Sequence, residues 1–275
     1  MNATPPIFVI SLVREAGRRA EMIRRLDADN LRYEIVDGVD GAVLNREEYA
    51  GRLGQYHRRE GSCFRLNHSK RRFAGRLSPG EIGCYLSHYN LWRRIADEKI
   101  PAAVILEDDA APEADFAAVV REIAASGWRW DLIYLHRDHS DKIYRVLQTV
   151  GGGRRLAQLK ITPNAAGAYM ISAAGAEKLL RHCWFMHHGL DVVWKDFWNW
   201  DGRVYAVCPN PVRQLTPPSA INHVNEILAE TPHLAAQTSP SVLVRRVLRK
   251  WKISAIKRWH YWRFRPERES GGIGE

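Results

Sequence analysis

Long hydrophobic runs are absent from this chain. It has no stretch of about 18 apolar residues that would predict a transmembrane helix, and its N-terminus lacks the basic flank and long apolar block of a secretory signal peptide. Only 4 cysteines occur among 275 residues, and none forms a C-x-x-C pair of the metal-binding type. The sequence therefore predicts a cytoplasmic protein, and its hydrophobic content of 45% is ample for a globular core.

Acidic residues are missing from 231–266, where basic residues are frequent. Residues 240–275 contain 10 Lys or Arg against 3 acidic residues, a net charge of +7 out of the +10 of the whole chain. Apolar residues including Trp251, Trp259 and Trp262 recur there at helical spacing. This pattern is typical of an interfacial helix on an anionic membrane, and nucleic-acid binding or packing on the rest of the chain are the alternatives.

We therefore predict a basic amphipathic tail over 240–266, with a flexible C-terminus over 267–275. The tail would hold the protein peripherally on the inner face of the cytoplasmic membrane, and we expect no nucleic-acid partner. Removing it at about Ser239 is expected to spare catalysis, because the candidate catalytic residues named below precede it.

A second basic segment lies at about 52–76. It contains Arg52, Arg58, Arg59, Arg65, Lys70, Arg71, Arg72 and Arg76 against only Glu60. We interpret it as a mobile loop that is either solvated or placed over an anionic substrate.

Strand-like and helix-like segments alternate through 7–207. The patterns predict strands at 7–13, 33–36, 102–106, 132–135, 143–147, 156–161, 168–171 and 204–207, and helices at about 14–29, 79–95, 116–123 and 173–183. Ser78-Pro79-Gly80-Glu81 matches a capping box with proline at the first helical position. This alternation predicts an α/β fold with a mixed, mainly parallel sheet, in a catalytic domain over 1–235.

The strand at 102–106 ends in three consecutive carboxylates, Glu107, Asp108 and Asp109. A solvated acidic turn is one interpretation. However, open α/β sheets bind ligands beyond the carboxyl ends of their strands, and hard divalent cations prefer oxygen ligands. An extended backbone would direct Glu107 and Asp109 to one side and Asp108 to the other. We therefore predict a Mn2+ or Mg2+ site with Glu107 and Asp109 as its first ligands.

Four motifs together resemble glycosyltransferase family 25, the lipooligosaccharide biosynthesis transferases related to the collagen galactosyltransferases. They are Ile10-Ser11-Leu12 with Arg14, Arg18 and Arg19; LSPGEIGCYLSH over Leu77 to His88; Ile105-Leu106-Glu107-Asp108-Asp109; and GAYMIS over Gly167 to Ser172. The resemblance covers roughly residues 5–225. It implies a GT-A-like nucleotide-sugar-binding fold, a UDP-sugar donor, a divalent metal and inversion at the anomeric carbon.

The resemblance, together with the chemistry that sugar transfer requires, indicates candidate site residues. Asp191 is the candidate general base, with a helix N-cap or a pair with Lys195 as its structural alternative. His223 is a possible third metal ligand, although a surface histidine is the commoner role. The donor-binding candidates are Ser11, Leu12, Arg14, Arg18, Asp37, Glu81, Ser87, His88 and Asp108. For Glu81, Ser87 and His88, helix capping or packing competes with that role. Trp194, Phe197, Trp198 and Trp200 are either a sugar-stacking platform or core.

The expected function is transfer of galactose from UDP-galactose to a sugar of a lipooligosaccharide or lipopolysaccharide acceptor, with a β-1,4 linkage. Glucosyl or N-acetylhexosaminyl transfer is the alternative within the enzyme class. A catalytically inactive basic module that binds nucleic acid or membrane is the alternative outside it.

Overall fold

The computed structural model describes residues 4–52, 77–137, 142–160, 163–186, 188–215 and 240–268. The strands are β1 (Ile7–Ser11), β2 (Tyr33–Asp37), β3 (Ala102–Glu107), β4 (Ala110–Pro112), β5 (Leu132–Tyr134), β6 (Ile143–Val150), β7 (Arg154–Leu159), β8 (Ala168–Ser172), β9 (Val204–Cys208) and β10 (Val212–Gln214). The helices are α1 (Ala16–Ala28), α2 (Arg46–Tyr49), α3 (Pro79–Asp97), α4 (Phe116–Ala125), α5 (Ala173–His182), α6 (Leu190–Trp194) and α7 (Pro240–Arg263).

Eight strands form one mixed sheet in the order β2-β1-β3-β8-β5-β9-β7-β6. Strand β1 is parallel to β2 and β3, and β5 is parallel to β9. The other four pairings are antiparallel. The α/β class is confirmed, but the expectation of a mainly parallel sheet is wrong. The reason is that β8 runs against both of its neighbours and the β6–β7 hairpin adds an antiparallel edge.

Each face of the sheet is covered by its own apolar layer. Along β3, Ala103 and Ile105 join the layer formed with α3 and α5, whereas Val104 and Leu106 join the layer formed with α1 and α4. This alternation follows from the two-residue period of a strand. Because β3 is buried on both faces, the carboxylates that follow it start from a rigid backbone.

Helix α3 begins at the predicted capping box. Ser78 Oγ accepts from the Glu81 amide at 3.2 Å, and Glu81 Oε2 accepts from the Ser78 amide at 2.8 Å. The loop after β2 packs directly on this first turn, since a Cβ at Gly83 would lie 2.4 Å from the carbonyl oxygen of Val39. Only glycine fits there, and the contact fixes α3 beside the carboxyl ends of the parallel strands.

Helix α7 packs against the body of the protein through one face. Tyr261 donates to the carbonyl of Leu159 at 2.7 Å, and His260 Nε2 lies 3.0 Å from the carbonyl oxygen of Gly202. Beyond the helix, the Arg129 amide donates to the carbonyl of Glu267 at 2.9 Å. Removing the chain at about Ser239 would therefore uncover part of the core, so a truncated protein does not test catalysis cleanly. Among the helices of the described residues, none has the length and apolar character needed to cross a bilayer.

Candidate functional site

Three neighbouring parallel strands end at the same edge of the sheet. Ser11 ends β1 opposite Asp37 at the end of β2, while Glu107 at the end of β3 pairs with Ile10. Asp108 and Asp109 follow in the turn after β3. Five candidate site residues named from the sequence therefore lie at one sheet edge: Ser11, Asp37, Glu107, Asp108 and Asp109.

Glu107 faces α3. Its Oε1 accepts from Cys84 Sγ at 3.7 Å and lies 3.1 Å from His88 Nε2. Burial acts to raise the pKa of Glu107, but the interactions of His88, Cys84 and Arg18 with its carboxylate together outweigh burial, and the pKa is lowered. Glu107 is therefore ionised at neutral pH.

A chain of buried polar contacts lies behind His88. Trp92 Nε1 donates to Tyr169 Oη at 2.8 Å, and that hydroxyl lies 2.9 Å from His88 Nδ1. Burial raises the pKa of Tyr169, which keeps its hydroxyl protonated. The hydroxyl can then donate to Nδ1, leaving the Nε2 proton for Glu107. This chain fixes the ring of His88 and, through it, the carboxylate of Glu107.

Asp108 points the other way, towards α1. It accepts from Ser11 Oγ at 2.8 Å and forms an ion pair with Arg18. Arg19 donates to Asp37 Oδ1 at 2.7 Å and to the carbonyl of Ser11 at 2.8 Å. Two guanidinium groups are thus held at the strand ends, where they can meet a phosphate.

Arg14 lies in the turn before α1, which begins at Ala16, two residues after the start expected at about residue 14. The Glu15 amide donates to the carbonyl of Leu12 at 3.0 Å and closes this turn. Arg14 pairs with Asp40 instead of the acidic triplet. Leu12 thus contributes to the turn through its backbone.

Asp109 has an environment that suits a cation. Its Oδ2 accepts from Gln214 Nε2 at 2.9 Å, while its Oδ1 is buried and has no hydrogen-bond partner among the described residues. Burial raises the pKa of Asp109, and the negative charge of Glu107 adds to the effect. A divalent cation between the two carboxylates would oppose both effects. The residues therefore fit a Mn2+ or Mg2+ ion.

Gly167 lies where the side chains of Glu107 and Gln214 converge. A Cβ at this position would be 3.7 Å from Glu107 Oε2 and 3.9 Å from Gln214 Nε2. Glu107 and Gln214 therefore both approach Gly167, and Gln214 donates to Asp109, while Asp108 contacts Ser11 and Arg18 on the other side.

Asp191 and Glu81 both approach Gly189. A Cβ at Gly189 would lie 3.2 Å from Asp191 Oδ1 and 3.6 Å from Glu81 Oε1. Burial raises the pKa of Cys84, and the charges of Glu107, Asp191 and Glu81 raise it further. The charges of the candidate base Asp191 and of the candidate metal ligand Glu107 therefore both act on one thiol of α3.

The N-cap alternative for Asp191 is wrong. Gly189 is the N-cap of α6, and Asp191 lies in the first turn after it. Lys195 Nζ donates to Asn164 Oδ1 at 3.0 Å. Burial lowers the pKa of Lys195, and the charges of Asp196 and Asp191 oppose that shift. Asp191 therefore influences Lys195 electrostatically.

Ser87 packs α3 against the loop after β2. Its Oγ donates to the carbonyl of Gly83 at 2.7 Å and accepts from the Val39 amide at 2.8 Å. These contacts match the packing role that the sequence analysis gave as the alternative to donor binding for Ser87. His223 and the basic loop after Arg52 lie outside the described residues.

The aromatic residues that follow Asp191 belong mainly to the core. Trp194, Phe197 and Trp200 are 1%, 2% and 7% exposed, and Trp198 packs partly buried against them. These rings therefore stabilise the domain and offer no open stacking platform.

Three residues near the site were not predicted as site residues. Cys84 lies four residues before His88, a spacing that puts both side chains on one face of a helix. This spacing could have identified Cys84 from the sequence as a neighbour of the candidate His88. Gln214 and Tyr169 carry no such signal, because their contacts depend on strands that meet only in the folded sheet.

The sequence is similar to that of known proteins. Residues 4–194 match the model described as Glycosyltransferase family 25 (LPS biosynthesis protein). The chain is 30% identical over 187 residues to Procollagen galactosyltransferase 1 of Danio rerio, covering 64% of this chain and 28% of that protein. It is 32% identical over 184 residues to the Probable inactive glycosyltransferase 25 family member 3 of Bos taurus, covering 63% of this chain and 28% of that protein. The chain thus matches little more than a quarter of each relative. It belongs to glycosyltransferase family 25.

Proposed function

We propose that the protein is an inverting, metal-dependent glycosyltransferase that moves galactose from UDP-galactose to a sugar of a lipooligosaccharide or lipopolysaccharide, forming a β-1,4 linkage. Family membership supports sugar transfer, and the relative in Danio rerio is named a galactosyltransferase. The observation that most supports a metal-assisted reaction is the pair Glu107 and Asp109, in which Asp109 Oδ1 is buried without a hydrogen-bond partner among the described residues. Glucosyl or N-acetylhexosaminyl transfer remains the alternative donor choice.

On the donor side, Glu107 and Asp109 would hold the cation. When bound, that cation supplies positive charge that stabilises the departing diphosphate. Arg18, beside Asp108, adds a guanidinium on the neighbouring side. Ser11, Asp37 and Asp108 lie at the strand ends, where the ribose or the donor sugar would bind in such a sheet.

On the acceptor side, Asp191 is the proposed general base. Its carboxylate would take the proton of the acceptor hydroxyl while that oxygen attacks the anomeric carbon from the side opposite UDP. A single displacement of this kind inverts the configuration of the sugar. Asp191 acts electrostatically on Cys84, whose thiol contacts the proposed ligand Glu107, and this supports the role.

Donor hydrolysis tests the proposal without an acceptor. The purified full chain, with Mn2+, is expected to release UDP from UDP-galactose faster than from UDP-glucose or UDP-N-acetylhexosamines, because contacts to single hydroxyls decide donor choice. EDTA should abolish the release and added Mn2+ should restore it. UDP release is measured directly, and linkage analysis of the product formed on an oligosaccharide acceptor then tests β-1,4 transfer.

A chain that hydrolyses none of these donors with any divalent metal would support the rival function, a catalytically inactive basic binding module. The relative in Bos taurus, named as probably inactive, makes this outcome a real alternative. Hydrolysis that is equally fast in EDTA would instead retain the enzyme and remove the metal from its mechanism.

We further propose that α7 binds an anionic membrane, where a glycolipid acceptor would lie. Leu248, Trp251, Trp259 and Trp262 are 65%, 74%, 53% and 63% exposed. At 100° per residue these four positions span an arc of only about 80°. The exposed residues Lys252, Arg258 and Arg263 flank that arc. An exposed tryptophan stripe with cations on both sides matches a lipid headgroup interface.

The opposite face of α7 packs on the protein through His260 and Tyr261, which are 1% and 6% exposed. The stripe is therefore presented by a docked helix, and packing on the body and binding to a membrane do not exclude each other.

Replacing Trp251, Trp259 and Trp262 together with alanine is expected to weaken binding to vesicles of anionic phospholipid by about tenfold or more, because three interfacial rings are lost. Co-sedimentation with the full-length chain measures this effect, and binding of the unaltered protein should also weaken with salt. Trp184→Ala is the matched control, since Trp184 is 50% exposed elsewhere on the surface. Equal sedimentation of the triple variant would disprove the assignment, and retention on DNA without vesicle binding would support a nucleic-acid partner.

A further inference from the structure

We propose that Cys84, His88 and Glu107 form a second type of metal site, one that takes a thiophilic divalent cation such as Zn2+. Cys84 Sγ lies 3.7 Å from Glu107 Oε1, and His88 Nε2 lies 3.1 Å from the same oxygen. The three donor atoms all lie within 4.8 Å of one another. A tetrahedral Zn2+ ion, with bonds of about 2.0 to 2.3 Å, separates its ligands by about 3.3 to 3.6 Å. Two of the observed separations are close to that spacing.

The donor set distinguishes this site from the proposed Mn2+ site. Sulfur, imidazole nitrogen and one carboxylate oxygen match Zn2+ or Cd2+, whereas Mn2+ and Mg2+ prefer oxygen ligands alone. Glu107 Oε1 faces Cys84 and His88, while Oε2 lies towards Gly167 and Gln214. Glu107 therefore directs one carboxylate oxygen towards the Zn2+ ligands and the other towards the side where the Mn2+ site is proposed.

The surroundings of the three residues also suit a cation. His88 Nδ1 lies 2.9 Å from Tyr169 Oη, a contact of the kind that orients metal-binding histidines. Asp191 and Glu81 lie near Cys84 and add negative charge. Cys84 and Glu107 are both partly exposed, so an ion can enter from solvent.

Metal binding here requires two proton changes. The Cys84 thiol loses its proton to the buffer, and His88 changes to the tautomer that has its proton on Nδ1 and its lone pair on Nε2. Tyr169 Oη can then accept from Nδ1. No oxidation or reduction takes place.

Because both sites use Glu107, a bound Zn2+ ion would restrict the carboxylate that the donor cation needs. We therefore expect Zn2+ to inhibit transfer in competition with Mn2+. This inhibition rests on the proposed function, whereas metal binding itself does not.

Cadmium is the direct probe, because a Cd2+–thiolate bond has its own ultraviolet charge-transfer absorption. Titration of the reduced full-length chain with Cd2+ should develop this absorption, and Zn2+ affinity is measured by competition with a chromophoric chelator. Cys84→Ser should weaken binding by at least the roughly 10- to 100-fold that follows loss of an outer-shell partner. Cys183→Ala, at a buried thiol at the end of α5, is the matched control and should bind as the unaltered chain does.

Circular dichroism confirms that Cys84→Ser is folded before its affinity is interpreted. Equal Cd2+ absorption and equal Zn2+ affinity in folded Cys84→Ser and in the unaltered chain would overturn the metal site. A separate assay measures inhibition of transfer by Zn2+, and the inhibition is expressed relative to each variant's own activity with Mn2+. Zn2+ binding without inhibition would retain the site and contradict its regulatory role.

Discussion

Asp109→Asn is expected to reduce transfer by about 10^3-fold or more, because the amide keeps the shape of the side chain but removes a charge from the proposed cation site. Metal ions supply several kcal/mol of transition-state stabilisation in reactions of this kind. Turnover with saturating Mn2+ and UDP release are the measurements. Asp97→Asn, at an exposed position at the end of α3, is the matched control and should leave turnover unchanged.

For stability, the same substitution is expected to have the opposite effect and to favour the folded state. Burial raises the pKa of Asp109 in the folded protein, so the folded state binds the proton more tightly than the unfolded chain does. The stability contributed by this group therefore falls as the pH rises from its unfolded pKa through its folded pKa. Above that range the ionised carboxylate opposes folding, and asparagine removes this penalty.

Without metal at neutral pH, Asp109→Asn should therefore melt at the same or a higher temperature than the unaltered chain. The rise in melting temperature that Mn2+ gives should be smaller in the variant, because a ligand that binds the folded state stabilises it. Near-normal turnover of the variant with Mn2+ would remove Asp109 from the mechanism. A lower melting temperature without metal would contradict the interpretation of its environment.

Asp191→Asn is expected to lower turnover by about 10^2-fold or more while UDP binding is largely kept, because a general base acts in the chemical step. Single-turnover transfer and equilibrium UDP binding separate the two effects. Asp196→Asn is the matched control, since Asp196 lies five residues later, at the start of the 3-10 turn Phe197–Asn199.

The opposite pattern for Asp191→Asn would be equally informative. Weaker UDP binding with turnover spared at saturating donor would assign Asp191 to the donor site. If Asp196→Asn lost as much turnover as Asp191→Asn, the effect would come from the general charge of this segment and the base assignment would fail.

Several parts of the molecule follow from local sequence patterns. The capping box at Ser78 predicts the start of α3. Gly151, Gly152 and Gly153 lie between two strand-like segments and predict a hairpin, which the structure forms as β6 and β7. Both depend on neighbours only a few residues apart. The apolar strand that ends in Glu107 predicts a polar site at a strand end in the same way.

Strand direction is not visible in such patterns. A strand that is buried on both faces, such as β8, has an apolar sequence whether its neighbours run parallel or antiparallel to it. The sequence therefore predicts the α/β class but gives the wrong balance of pairings. In the same way, Arg14 looks helical because the pattern does not reveal the turn that Glu15 closes on Leu12.

The sequence by itself determined most of the strands and helices, the basic and aromatic character of α7, and the three consecutive carboxylates that begin at the end of β3. Each of these properties depends on residue type and short-range spacing. The tertiary structure alone decided that Asp109 contacts Gln214, that Glu107 lies against Cys84 and His88, and that one face of α7 is buried. Those contacts join residues up to 105 positions apart. Their geometry follows from packing and burial across the sheet, which no local pattern records.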